Sequence, residues 1–131
     1  MTVYILAGGC DRHYASYGEQ LARVIRNEIE NPRILSCMFS KPEDEASAVR
    51  DDWRKWFMNN FGEDVSIDFA DDVRFFEQVK EADVIYLHGG QTDLLMSRLP
   101  DFKKVKEAFK GKIVIGSSAG ANYLSSTGFS P

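Results

Sequence analysis

Short apolar runs alternate along the chain with longer stretches whose apolar positions recur at helical spacing. Val3-Tyr4-Ile5-Leu6 comes first and is closed by Gly8-Gly9; a short apolar run ended by glycine reads as a buried parallel strand. Residues 17–29 are apolar at 17, 21, 22, 24, 25 and 29, which predicts an amphipathic helix. Asn31-Pro32 stops it, because a residue before proline avoids helical angles. Residues 34–39 (Ile-Leu-Ser-Cys-Met-Phe) form the next strand candidate. Pro42-Glu43-Asp44-Glu45 suits a first helical turn, and the helix is predicted to run through Trp53, Trp56 and Phe57 to Asn60, with Gly62 ending it. The three aromatics share one stripe, which is expected in the core. Residues 65–69 alternate as a half-buried strand does, and Asp71 and Asp72 are the expected caps of a short helix carrying Phe75, Phe76 and Val79. Residues 84–87 are a strand with His88-Gly89-Gly90 as its turn. Thr92 is the expected N-cap of a leucine-bearing helix that Pro100 breaks. A helix over 102–109, a strand over 113–115 and a helix over 119–125 complete the pattern.

Such repeated alternation predicts an α/β fold, a mostly parallel sheet with helices on both faces. Ligands of such sheets collect at the carboxyl ends of the strands. Three glycine-bearing turns fall there: Ala7-Gly8-Gly9, His88-Gly89-Gly90 and Gly116-Ser117-Ser118-Ala119-Gly120. A length of 131 residues is one domain by the usual prior, with no internal repeat or linker evident.

Composition narrows the partners. The chain is 44% hydrophobic and 27% charged, with a net charge of −4, so no overall basic field favours nucleic acid. Runs such as Lys103-Lys104-Val105-Lys106-Glu107 read as solvated helix surface. Cys10 and Cys37 lack metal spacing and are expected as free thiols in a reducing compartment. No apolar run approaches the roughly 18 residues of a membrane span, and the N-terminus has no basic n-region, so a cytoplasmic protein is expected. No cofactor is expected either: the G-x-G-x-x-G spacing is absent, and Cys10 or Asp11 beside His13 is too small a set for a metal.

The chemistry concentrates at Ser118. A serine between a strand and a helix points its hydroxyl out of the sheet, over the helix N-terminus. The sharp turn demands small neighbours, here Gly116, Ala119 and Gly120. Only Ser118 is the central residue of G-x-S-x-G; Ser117 is not. The Ala119 N–H would then face the oxygen of an attacked carbonyl, a contact worth about 3–4 kcal/mol in a transition state.

The segment Ile113-Val114-Ile115-Gly116-Ser117-Ser118-Ala119-Gly120-Ala121-Asn122 resembles the nucleophile segment of the S51 serine peptidases, the family of dipeptidase E and cyanophycinase. A second shared feature is a strand followed by Gly-Gly-x-Thr and a leucine-rich helix, here residues 84–95. The resemblance implies a three-layer α/β sandwich akin to class I glutamine amidotransferases. It also implies Ser118 as nucleophile, Gly90 and Ala119 as oxyanion donors, and a small, N-terminally aspartyl peptide as substrate. The family completes its triad with a histidine and an acidic residue downstream of the serine; none of the 13 residues after Ser118 is His, Asp or Glu. The expectation is therefore a C-terminally incomplete or shortened homologue. It is either a serine peptidase needing a base from elsewhere, including a second copy or complementing chain, or a catalytically inactive binding or subunit-interaction module. His88 reads as a substitute base, a substrate contact or a hydrogen-bonded rim residue. Gln91 and Thr92 read as substrate contacts, and His13 as a loop histidine.

Overall fold

The computed structural model describes residues 2–7 and 15–126. The elements run β1 (Val3–Ala7), α1 (Ala15–Glu28), β2 (Arg33–Cys37), α2 (Glu43–Phe61), β3 (Ser66–Phe69), α3 (Phe75–Glu81), β4 (Val84–Leu87), α4 (Thr92–Arg98), α5 (Phe102–Ala108), β5 (Ile113–Ser117) and α6 (Ala119–Ser126). The strands form a five-stranded sheet in the order β1-β5-β4-β2-β3, every neighbouring pair parallel. This is the α/β sandwich that the strand–helix alternation implies.

Strand alternation explains the three layers. Ile34, Val84, Tyr86, Ile113 and Ile115 face one core with Leu21 and Ile25 of α1 and Trp53, Trp56 and Phe57 of α2. Leu35, Cys37, Ile85, Leu87 and Val114 face the other, with Phe75 and Val79 of α3, Leu95 of α4, Val105 of α5 and Tyr123 of α6. Because both faces are covered, β4 and β5 are buried at every position, as their unbroken apolar runs require. Edge strand β3 instead alternates exposed Ser66 and Asp68 with half-buried Ile67 and Phe69. No helix among the described residues is long and apolar enough to cross a membrane.

Three local expectations shift, each for a visible reason. Strand β2 ends at Cys37, not residue 39, because its ladder to β4 runs out at the Cys37–Leu87 pair. Met38 and Phe39 stay buried as the chain turns over the sheet. Asp71 does not cap α3 directly: its carboxylate accepts from the Val73 and Arg74 amides at 2.8 and 3.1 Å, holding the turn before it. Asp72 instead pairs with Arg98 at 3.1 Å. Thr92 is not the N-cap of α4. Gln91 holds that position in an extended conformation, since its N–H is donated to Ser40 O at 2.7 Å.

Candidate functional site

The register of the sheet assembles the site. Leu87 of β4 lies opposite Gly116 of β5, so two residues further along each chain Gly89 comes beside Ser118. A methyl group built on Gly89 would lie 3.2 Å from Ser118 Cβ and 3.7 Å from its Oγ. The turns that open α4 and α6 are therefore in contact. Two hydrogen bonds tie the helices behind them: Asn122 Nδ2 donates to Thr92 Oγ1 at 3.4 Å, and the Tyr123 hydroxyl to Leu99 O at 2.9 Å.

Ser118 has the backbone that a nucleophile turn needs. Its φ is 53°, and among the described residues no other non-glycine residue has positive φ. That conformation costs an L-residue roughly 1–2 kcal/mol, so the surroundings must enforce it. They do so by close approach. A methyl on Gly116 would meet the Ala121 nitrogen and the Gly120 carbonyl at 2.8 Å, and one on Gly120 would overlap the Leu87 carbonyl and side chain. Helix α6 thus packs its first turn directly onto β5 and β4, leaving Ser118 exposed above buried Ser117 and Ala119. The first amides of α6 have no intrahelical acceptor and point toward the side from which the chain enters.

The facing turn is equally constrained. Gly90 is exposed with φ 149°, and a methyl on it would sit 2.5 Å from Ser40 O. Gln91 is exposed and Thr92 half-buried beside it. The loop after β2 was not singled out by sequence, yet Ser40, 1% exposed, lies against this turn throughout. Its carbonyl partner Gln91 is 51 residues away along the chain, and nothing local to Ser40 marks it.

His88 occupies a different environment from a crevice rim. Its side chain follows Val84 and Tyr86 onto the α1/α2 face, is 1% exposed, and has Nε2 2.6 Å from Ser36 Oγ. Its ring packs on Trp53 at 4.3 Å and Tyr86 at 4.5 Å between centroids. The imidazole is therefore part of the aromatic core beneath the Gly89–Gly90 turn. His13, Cys10 and the Gly8-Gly9 turn lie outside the described residues.

Cys37 is buried and free. Burial pushes its thiol from 9.0 up to about 12, which suits a core residue and not a nucleophile. The consequence for stability follows from proton linkage. Above about pH 9 the unfolded chain loses this proton while the folded chain keeps it, so the contribution of Cys37 falls as pH rises from 9 toward 12. Urea midpoints measured at pH 8 and pH 10.5 are expected to decline less for Cys37→Ala than for the wild type.

A cleft of about 450 Å³ lies away from Ser118, beyond the ends of β2 and β3, lined by residues including Ser36, Phe39, Arg50, Phe69, Asp72 and Arg98. Both its arginines are ion-paired, although the buried Nε of Arg50 has no hydrogen-bond partner among the described residues. Arg50 pairs with Glu43 at 2.8 Å, and Arg98 pairs with Asp72 and donates to the carbonyls of Phe39 and Lys41. Among the described residues no group of three His, Cys, Asp or Glu converges as a metal site would.

Residues 48–130 match the family model of peptidase family S51. No curated protein matches the chain. Among solved structures, a peptidase from an acI-B1 Actinobacterium superposes with a TM-score of 0.62 at 24% identity, covering 93% of this chain and 56% of that one. That likeness is one of fold, and the chain spans little more than half the length of the structure it matches.

Proposed function

The chain belongs to peptidase family S51, and on that premise we propose that it carries the nucleophile and oxyanion half of a serine peptidase site acting on short peptides, N-terminally aspartyl ones in particular. The observation that carries the reading is Ser118 itself: exposed, at φ 53°, on a strand-to-helix turn with a second glycine turn packed beside it. In the proposed reaction Ser118 Oγ bonds to the peptide carbonyl carbon and its proton passes to a base. The carbonyl electron pair moves onto oxygen, which the Gly90 and Ala119 N–H groups receive. Collapse breaks the C–N bond, the amine leaves with that proton, and water then hydrolyses the acyl-serine. Gln91 and Thr92, beside Gly90, are assigned to contact the peptide.

Among the described residues the one histidine, His88, is turned into the aromatic core and does not serve this serine as a base. A serine without a base is a weak nucleophile at neutral pH. The proposal therefore assigns proton acceptance to polypeptide beyond the described residues or to a complementing or second chain. The 131-residue chain alone is expected to turn over Asp-X dipeptides very slowly, with Ser118→Ala removing what remains. Rapid turnover that Ser118→Ala abolishes, and that survives replacement of both His13 and His88, would contradict the requirement for a histidine. The burial of His88 in the aromatic core also favours a second reading, a non-catalytic member whose paired helix N-termini bind a carboxylate. A binding module of that kind retains affinity for acidic dipeptides after Ser118→Ala and shows no turnover with any complementing chain.

A further inference from the structure

We propose that Ser40 is the positioning residue of the oxyanion turn, an inference that rests on the reading of Ser118 and Gly90 given above. Ser40 Oγ lies 2.8 Å from the carbonyl oxygens of both His88 and Gly89 and donates its hydrogen to them. Its own carbonyl accepts the Gln91 N–H at 2.7 Å. One buried residue on the β2–α2 loop thus holds three consecutive peptide units on either side of Gly90. It also fixes which way they face.

A peptide unit is planar, so engaging the carbonyl of one residue sets the direction of the next residue's N–H. With the Gly89 carbonyl drawn toward Ser40, the Gly90 N–H of the same peptide plane points the opposite way, out of the loop. The Ser40 backbone also accounts for glycine at position 90, since the space a side chain would need is filled by Ser40 O and Oγ, 2.5 and 2.9 Å from an ideal Cβ. Without the hydroxyl, the Gly89–Gly90 peptide is free to rotate, and glycine resists rotation least of all residues. Ser40 does not touch the reacting atoms; it acts through the Gly90 amide.

The test compares wild type, Ser40→Ala, Ser40→Cys and Ser36→Ala in the full 131-residue chain. Ser36 is an equally buried hydroxyl that contacts the His88 ring and not the turn, so its variant reports the effect of general packing. Two readouts are taken: phosphonylation of Ser118 by a fluorophosphonate over a concentration series, and amide hydrogen exchange. Ser40→Ala is expected to lower the maximal phosphonylation rate about tenfold with the half-saturating concentration little changed, because the loss falls on the transition state. Exchange at Gln91 is expected to quicken about tenfold while Ile85 and Leu87 are unaffected. Ser40→Cys, a weaker donor of similar bulk, should show the same pattern at smaller size, and Ser36→Ala neither effect. Unchanged rate and exchange in Ser40→Ala, or equal effects in Ser36→Ala, would overturn the proposal. If wild-type Ser118 is not phosphonylated at all, the nucleophile reading fails, and the exchange comparison alone decides whether Ser40 holds the turn.

Discussion

Trp53→Ala is expected to lower the unfolding free energy by about 3–5 kcal/mol, the range for emptying a buried aromatic site. Trp53 is 7% exposed and is the hub of the α2 aromatic cluster, with ring centroids 5.2 Å from Trp56, 5.5 Å from Tyr86 and 4.3 Å from His88. Its removal forfeits several edge and tilted ring contacts together with the transfer energy of the indole. Domains of this size are stable by only about 5–15 kcal/mol in total, so the variant takes a large share. The expected measurement is a lower urea midpoint with an unchanged slope, and Trp53→Phe should recover more than half the difference. The site is expected to suffer indirectly, because His88 and the turn above it lose their support.

Gly120→Ala is expected to act in the opposite proportion, modestly on stability and severely on the site. A methyl there overlaps the Leu87 carbonyl and side chain, and Leu87 is fully buried, with nowhere to move. Overpacking of this kind costs about 2 kcal/mol, and Gly120, the second residue of α6, lies too near the helix start for alanine's interior propensity to offset it. A loss of that size leaves a folded protein. To relieve the overlap, α6 must lift from β4, and the positive φ of Ser118 is the feature that the lifting releases. Fluorophosphonate reaction at Ser118 is expected to fall by at least tenfold at a temperature where circular dichroism shows the chain still folded. Reaction at the wild-type rate would show that the close packing of Gly120 does not set the serine's geometry.

The architecture was legible in the sequence where one physical signal dominated. Strands β4 and β5 are buried on both faces, so their apolar runs are continuous, and the elbow after β5 declares itself because a tight turn tolerates only small residues. Helix starts were less legible. At Thr92 the cap preference of a hydroxyl pointed one residue too far, because a hydrogen bond from Gln91 to the distant Ser40 decides where α4 begins. His88 shows a different limit. Alternation assigns its face correctly once the strand is known, but only the sheet order reveals that Trp53 and Ser36 are waiting there. Ser40 carries no sequence signal, since its partners are backbone carbonyls 48 and 49 residues away.

Covalent labelling distinguishes a nucleophilic Ser118 from a merely exposed serine in a tight turn. Incubation of the chain with a fluorophosphonate, followed by intact mass and peptide mapping, tests this directly. One slowly formed adduct is expected after prolonged incubation with excess reagent, since the serine lacks a histidine partner, on the peptide containing Ser118, absent from Ser118→Ala and absent after unfolding in urea. No adduct on that peptide, or labelling that persists in Ser118→Ala, would contradict the assignment.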